Sequence, residues 1–251
     1  MDSDDEVIGR GVFITGGFER VYMDTALTFL KSNGRTAGPG TTFVDVGANI
    51  GTSTVDALLH FGFARAVCFE PDGHNFRLLR ANLSLNGLDG RARATCLALS
   101  SHDGEAVLER SSRNFGDHRI LPLAASYAGD PGPEGLVACA RFDSLVARGE
   151  IDVGAIGMIW IDAQGHETFV LEGAQTAVEA GVPIVVEYWP KALGETCARF
   201  DDLVRRDYTT VVDLRRLAAG VTDGSILETG DIGCLRMRYP ERHLTDLLLL
   251  R

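Results

Sequence analysis

The sequence predicts a doubly wound α/β fold, in which helices cover both faces of a mostly parallel sheet. Short apolar runs alternate with helical patterns from Thr42 onward, and this alternation is typical of consecutive β-α-β units. The strands are nearly continuous apolar runs, which indicates that both faces of the sheet are buried. The last two expected strands are joined by a turn-rich segment without a helical pattern, so we expect an antiparallel edge strand.

A helix is predicted ahead of the sheet. Its apolar residues recur at helical spacing: Met23, Ala26, Leu27 and Leu30. Asn33 and Gly34 end the pattern. We therefore divide the chain into an N-terminal helical segment over residues 1–40 and one domain over residues 41–251. The helical segment is a candidate lid over a substrate, and plain packing of its apolar stripe is the alternative.

Strands and helices then alternate along the domain. The expected strands are Thr42–Val46, Ala66–Glu70, Ala94–Ser100, Ile156–Asp162, Val182–Trp189, Tyr208–Leu214 and Gly233–Tyr239, and the expected helices lie near Ser53–Phe61, His74–Leu85, Glu167–Ala180 and Thr196–Arg206. Between them, Ser111–Gly135 is polar and rich in Gly and Pro, which predicts a long surface loop. Loops of this length in compact domains are usually functional or disordered.

Composition excludes several classes of protein. The 251 residues carry a formal charge of −11 and a pI near 5.0, whereas nucleic-acid binding needs a basic face. No apolar run reaches the length of a membrane span, and the acidic start "MDSDDEV" does not resemble a secretory leader. We therefore expect a cytoplasmic protein. The five cysteines form no C-x-x-C pair and are expected to be free, buried thiols rather than zinc ligands.

The stretch "FVDVGANIG" contains the strongest functional signal. The first strand is followed by Gly47, Asn49 and Gly51, where open α/β sheets bind ligands beyond the carboxyl ends of their strands. Glu70 closes the next strand, at the place where an acid binds ribose hydroxyls. Asp45, two residues before the first glycine, suits a cationic ligand better than a pyrophosphate. The turn therefore favours S-adenosylmethionine, which carries a sulfonium and an ammonium group, over a dinucleotide.

Several further stretches resemble one family. "FVDVGANIG", "CFEPDGHNFRLLRANLSLNG", "LALSSHDGEAVL", "RFDSL" and "IDAQGHETFVLEGAQ" are similar, in this order, to the FkbM-type methyltransferases. The resemblance covers about Thr42 to Pro190. It implies a Rossmann-like class I methyltransferase sheet, S-adenosylmethionine as the donor, and O-methylation of a sugar, polyketide or other small natural product.

The same resemblance assigns the donor site. It implies that the methionine part is lined by Asp45, Gly47, Asn49 and Gly51, and that Glu70 holds the ribose. Ala98 and Ser100 occupy the positions where adenine usually packs. Trp160 is a departure, because family members often carry lysine there. Ala163 replaces a valine, which is a small change.

The stretch "WIDAQGHE" provides the candidate catalytic residues. Asp162 ends the fourth strand beside the donor pocket, and His166 follows at a helix start. His166 is our first candidate for the general base, because its ordinary pKa is near neutral; Asp162 could orient it or accept the proton, and Glu187 is a third candidate. A divalent ion held by Asp162 and Glu187 is an alternative that we do not favour. Structural roles compete: Asp162 as a helix cap, Glu167 as a complement to the helix dipole, and His166 as a packed side chain.

The acceptor is expected to be a small molecule with a hydroxyl group. Asn114, Asp117 and His118 in the long loop, together with Glu167, are candidates to contact it. Two other functions stay open: a catalytically silent module that binds S-adenosylmethionine, and a nicotinamide-dependent oxidoreductase, which the G-x-N-x-G turn disfavours. The oligomeric state is open too, because the C-terminal "LTDLLLL" could pack internally or pair with a second subunit in a homodimer.

Overall fold

A computed structural model describes residues 20–110, 118–121, 135–240 and 243–251. The strands are β1 (Thr42–Val46), β2 (Arg65–Phe69), β3 (Ala92–Thr95), β4 (Ala98–Leu99), β5 (Gly104–Glu109), β6 (Arg119–Leu121), β7 (Leu136–Ala140), β8 (Ile156–Ile161), β9 (Ile184–Tyr188), β10 (Thr210–Asp213), β11 (Ile226–Glu228) and β12 (Thr245–Leu250). The α-helices are α1 (Arg20–Ser32), α2 (Thr52–Leu59), α3 (Gly73–Leu85), α4 (Phe142–Ala147), α5 (Glu167–Glu172), α6 (Gln175–Glu179), α7 (Pro190–Leu193), α8 (Cys197–Asp207), α9 (Leu214–Ala218) and α10 (Cys234–Arg238). Short 3₁₀ turns occupy Val153–Ala155, Gly194–Thr196 and Thr229–Asp231.

The main sheet has eight strands in the order β11-β10-β12-β9-β8-β1-β2-β3. From β9 to β3 all neighbours are parallel, whereas β12 is antiparallel to both β9 and β10, and the edge strand β11 is antiparallel to β10. The chain runs outward in one direction through β1, β2 and β3, and in the other through β8 and β9. The strand order therefore reverses between β1 and β8, and the predicted doubly wound fold is confirmed.

Apolar side chains fill both faces of this sheet. Alternate residues of a strand point to opposite faces, so Val44, Ile159 and Val186 join one buried cluster, while Phe43, Trp160 and Val185 join the other. The second cluster also includes Met23, Ala26 and Leu30 of α1, three residues of the predicted helical stripe. Helix α1 lies against α9.

A second, four-stranded sheet has the order β4-β7-β5-β6. The predicted third strand, Ala94–Ser100, is wrong as one element, because the chain leaves the main sheet after Thr95 and pairs Ala98 with Cys139 of β7 instead. The predicted long loop, Ser111–Gly135, contains β6, and its remaining residues lie largely outside the described ranges.

Two further elements differ from the prediction. The helix expected over Glu167–Ala180 is divided into α5 and α6 at Gly173, where an added Cβ atom would lie 2.0 Å from the Ser100 carbonyl oxygen. The last strand is Thr245–Leu250, whereas the segment expected to form it contains α10. All six residues of β12 are buried between β9 and β10, so "LTDLLLL" packs within the chain.

The five cysteines are free thiols, of which Cys68, Cys139 and Cys197 are buried. Within the described ranges, none of the helices has both the length and the apolar character needed to cross a bilayer.

Candidate active site

The turn after β1 is forced into a conformation that favours glycine. Gly47, Asn49 and Gly51 have φ angles of +80°, +49° and +89°, in the left-handed region that Gly adopts freely and Asn tolerates. A Cβ atom on Gly47 would lie 1.8 Å from the carbonyl oxygen of Asp162. The turn therefore passes so close to the end of β8 that only glycine fits at position 47. This close approach lies where the strand order reverses, between β1 and β8.

Glu70 ties the tip of β2 to this turn. The carboxylate is 5% exposed; its Oε2 accepts a hydrogen bond from the Asn49 N–H and its Oε1 accepts one from the Asp72 N–H, both at 2.8 Å. Burial raises the pKa of Glu70 to about 8, although these two hydrogen bonds offset part of the effect. The result is a fixed carboxylate that lines a cavity and keeps capacity for further hydrogen bonds.

Asp45 is the second buried acid below the turn. It is 2% exposed, and Thr54 Oγ1 donates a hydrogen bond to its Oδ2 at 2.5 Å. Burial raises the pKa of Asp45 to about 7, and the charge of Asp162 adds to this, while the hydrogen bond from Thr54 opposes it. A cation that bound here would relieve both the desolvation and the repulsion.

These groups open into a cavity of about 300 Å³ at the carboxyl ends of β1, β2, β8 and β9. Nine of the residues predicted for the site line it: Asp45, Gly47, Asn49, Glu70, Ala98, His118, Asp162, His166 and Glu187. Of the other predicted residues, Gly51 is the N-cap residue of α2, Ser100 contacts the cavity wall through His166, and Glu167 follows His166. Asn114 and Asp117 lie outside the described residues.

His166 is held as a neutral ring. Its Nε2 lies 2.9 Å from the Ser100 hydroxyl, and the ring stacks on Phe169 with centroids 4.6 Å apart. Burial lowers the pKa of His166 to about 4, and the charge of His102 lowers it further. At neutral pH the imidazole is therefore unprotonated but weakly basic.

Three carboxylates converge near the ends of β8 and β9. One oxygen each from Asp162, Glu167 and Glu187 lies within 4.8 Å of the other two. Gln164 Nε2 donates to Asp162 Oδ1 at 2.6 Å, and Glu167 Oε1 accepts from the N–H groups of Ala163 and Gly165 at 3.0 and 3.1 Å. Burial raises the pKa of Glu167 to about 7, and repulsion by Asp162 contributes. This group of acids lies beside the Gly47–Gly51 turn, because the Asp162 carbonyl oxygen is next to Gly47.

The geometry also bears on the structural roles that the sequence left open, which are Asp162 as a helix cap and Glu167 as a complement to the helix dipole. His166, not Asp162, is the N-cap residue of α5, and no side chain caps that helix. Glu167 lies in the first turn of α5, but its carboxylate accepts hydrogen bonds from the loop that precedes the helix.

Comparison with known proteins identifies the family. A sequence profile described as the methyltransferase FkbM domain matches residues 45–209, which include the turn, Glu70 and the three converging carboxylates. The chain belongs to the FkbM methyltransferase family. No curated protein matches it.

One solved structure supports this fold. The chain is similar to the methyltransferase FkbM from Methylobacillus flagellatus KT, with 17% identity and a TM-score of 0.51. The match covers 90% of this chain but 47% of that one, so the chain spans about half the length of its structural relative. Precorrin 8w decarboxylase from Methanobacterium thermoautotrophicum (15% identity, TM-score 0.45, 91% and 90% covered) and precorrin-6y C5,15-methyltransferase from Geobacter metallireducens GS-15 (10%, 0.44, 94% and 94%) are also similar.

Trp160 occupies the position where the family resemblance implies that members often carry lysine. The side chain is 1% exposed, belongs to the cluster that contains Val185, and contributes to the cavity wall. A large apolar ring therefore replaces a cation close to Asp162. Trp189 lines the same cavity, and Arg119 of β6 lies over its ring at 5.9 Å.

One acid of the site was not predicted. Asp246 of β12 is 3% exposed and is paired with Glu187 of β9 in the antiparallel register. Burial raises the pKa of Asp246 to about 8, and the charge of Asp162 adds to this. The signal was present in the sequence, because an acid next to "LLLL" is unusual in a buried strand, but that strand was expected elsewhere.

Proposed function

We propose that this FkbM-family chain is an S-adenosylmethionine-dependent O-methyltransferase that acts on a hydroxyl group of a small molecule, such as a sugar, a polyketide or another natural product. One observation carries the proposal. The Asn49 N–H of the left-handed turn at Gly47–Gly51 donates a hydrogen bond to the buried carboxylate of Glu70, and the turn and Glu70 line the cavity together. The volume of that cavity is in the range typical of small-molecule sites.

The charges around the turn suit this donor. In the proposed complex Glu70 would accept hydrogen bonds from the ribose hydroxyls, Ala98 and Leu99 would hold the adenine, and the turn above Asp45 would hold the methionine part. The positive charge of the donor would stabilise the ionised forms of these buried acids. A nicotinamide dinucleotide would instead bring its pyrophosphate close to Asp45, which costs repulsion between like charges.

The transfer step requires an acceptor oxygen about 3 Å from the methyl carbon and in line with the sulfonium. A new C–O bond forms while the C–S bond breaks, and its electron pair stays on sulfur, leaving neutral S-adenosylhomocysteine. The hydroxyl proton passes to a nearby base, which contributes about 10²–10⁴-fold in rate. We propose Glu187 or Asp162 for this role, ahead of His166, because both carboxylates line the cavity, whereas the Nε2 of His166 is engaged by the Ser100 hydroxyl.

His166 has a different role in this proposal. Its hydrogen bond to Ser100 and its stacking on Phe169 fix the wall next to the proposed adenine site.

Helix α1, within the candidate lid of residues 1–40, lies on the face of the sheet that contains Trp160 and Val185.

A silent donor-binding module is the second candidate, and the observation that favours it is Trp160 in place of a lysine. Transfer from isotopically labelled S-adenosylmethionine to a panel of sugars and other alcohols separates the two functions. We expect transfer to at least one class of alcohol. Donor binding without transfer to any alcohol would favour the silent module.

Variants test the assignment of the base. Glu187→Gln should lower turnover about 100-fold or more while S-adenosylhomocysteine binds within threefold of the parent, and His166→Gln should have a smaller effect on turnover. Glu179→Gln, an exposed carboxylate, is the matched control. A larger loss in His166→Gln than in Glu187→Gln would return the base to His166.

A further inference from the structure

Asp246 and Glu187 form a pair of facing carboxylates in the interior. Directly opposed residues of antiparallel strands point to the same face, with Cβ atoms about 4.5–5.5 Å apart. The pairing of Asp246 with Glu187 therefore places two buried acids side by side, at 3% and 6% exposure. Like charges in this arrangement destabilise a sheet, so a buried pair of acids calls for a function.

The same face continues to Asp162. Trp160 of β8 is paired with Val185 of β9, and Asp162 and Glu187 each follow two residues later, so they lie level on adjacent strands and point to the same side. Three neighbouring strands therefore present a row of acids, Asp162, Glu187 and Asp246, at the carboxyl edge beneath the cavity. Glu167 of α5 brings one oxygen within 4.8 Å of Asp162 and Glu187.

Asp246 provides an independent sign of a missing ligand. Its Oδ2 is buried and has no hydrogen-bond partner in the described part of the chain. The basic side chain that interacts electrostatically with Asp246 in the described part of the chain is Arg215. Arg215 donates its Nη1 hydrogen bond to the Leu244 carbonyl at 2.8 Å. A buried acceptor oxygen without a partner costs free energy unless a ligand satisfies it.

We propose that Asp162, Glu167, Glu187 and Asp246 form a binding site for one hard divalent cation, such as Mg²⁺, Mn²⁺ or Ca²⁺. Carboxylate oxygens are the preferred ligands of these ions, at about 2.0–2.6 Å. Opposite ligands of one ion are then about 4–5 Å apart, and the 4.8 Å limit on the oxygens of Asp162, Glu167 and Glu187 fits this spacing. Asp246 is joined to these three by its pairing with Glu187. A protonated amine would be satisfied by fewer carboxylates that need not converge on one point.

The role of the ion rests on the proposed function. Because Asp162 and Glu187 also line the cavity, an acceptor hydroxyl that binds the ion would lie next to the donor. Coordination lowers the pKa of a hydroxyl, so a weak base could accept its proton. With Asp162 and Glu187 acting as ligands of the ion, the His166 imidazole, which also lines the cavity, would accept that proton in their place.

Terbium luminescence tests this site without any measurement of activity. The chain has two tryptophans, Trp160 and Trp189; each is two residues from a proposed ligand, Asp162 or Glu187, and both line the cavity. Terbium(III) bound at the site should therefore be excited through tryptophan, whereas ions scattered over the acidic surface should not. We expect saturable emission at one ion per chain, displaced by Mn²⁺ or Ca²⁺.

Two isosteric variants locate the ion. Glu187→Gln and Asp246→Asn should each weaken terbium binding at least tenfold, and Asp202→Asn, whose carboxylate is 76% exposed, should leave it unchanged. Circular dichroism checks the fold of each variant. If a variant does not fold, the stoichiometry and the displacement by Mn²⁺ in the parent chain still decide the matter.

The proposal is overturned if tryptophan-sensitised emission does not saturate, or if both folded variants bind terbium as the parent does. Binding of S-adenosylhomocysteine to the same preparation is measured in parallel by calorimetry. Donor binding without a terbium site removes the cation and leaves the proposed methyl transfer intact. A terbium site without donor binding supports the cation site and counts against the proposed function.

Discussion

The glycine turn gives the sharpest test of the site, because two glycines with similar backbone conformations differ in their surroundings. Gly47 and Gly87 have φ angles of +80° and +68°. An added Cβ atom on Gly87 meets nothing within 4 Å, whereas on Gly47 it would lie 1.8 Å from the Asp162 carbonyl oxygen. Gly87→Ala therefore isolates the conformational cost, and Gly47→Ala adds the steric one.

The conformational cost and the steric cost of the two substitutions can be estimated separately. A left-handed conformation costs a non-glycine residue about 1–2 kcal/mol, and both variants share this cost. In Gly47→Ala the turn must also move by more than an ångström, since real Cβ contacts stay above 3.0 Å, and overpacking of this kind typically costs about 1–3 kcal/mol more. We expect the free energy of unfolding to fall by about 2–5 kcal/mol in Gly47→Ala and by about 1–2 kcal/mol in Gly87→Ala.

Urea denaturation measures both values, and calorimetry with S-adenosylhomocysteine measures the site. Gly47→Ala should lose donor binding, because the turn that carries the Asn49 N–H is displaced from Glu70, and Gly87→Ala should bind as the parent does. Equal destabilisation of the two variants, with donor binding retained in both, would refute the close approach of the turn to β8 and its role in the site.

Further predictions concern Glu70. Glu70→Gln should weaken S-adenosylhomocysteine binding about 10–100-fold, since hydrogen bonds to a charged group contribute about 1.5–3 kcal/mol; Glu109→Gln, an exposed acid on β5, is the control, and equal affinities would exclude Glu70 from the ribose site. The pKa of Glu70 is raised from 4.5 to about 8, so the folded state holds this proton longer than the unfolded state. Its contribution therefore lowers the free energy of unfolding as pH rises from about 4.5 to 8, and denaturation at several pH values should show a flatter dependence in Glu70→Gln. Binding of S-adenosylmethionine should strengthen between pH 6 and 8.5 as Glu70 and Asp45 ionise, and a calorimetric affinity that falls over this range would contradict the proposed charge pairing.

Elements whose bounds are set by nearby residues could be predicted from the sequence. β1 has the predicted bounds. Its apolar run lies between loop residues and a glycine turn, and these two features determine where the strand begins and ends. The helices α2 and α3 lie within two residues of their expected bounds, since their apolar periodicity and closing glycines are local. The same features predicted that Asp45, Gly47, Asn49 and Glu70 lie together, and all four line the cavity.

Elements that depend on distant partners were not predictable. Ala98 joins a second sheet because Cys139 pairs with it, and nothing near Ala98 in the sequence shows this. The low basicity of His166 arises from its burial against Ser100 and Phe169, and so depends on the packed structure. Asp246 was overlooked because the final strand was assigned to Gly233–Tyr239, and its pairing with Glu187 follows only from the order of β9 and β12.

A crystal structure of the chain with S-adenosylhomocysteine tests the central claim most directly. The account predicts the ribose hydroxyls within hydrogen-bond distance of Glu70, and the sulfur at the Gly47–Gly51 turn on the side that faces Asp162 and Glu187. A cavity that stays empty at saturating ligand, or a ligand whose ribose binds away from Glu70, would contradict it.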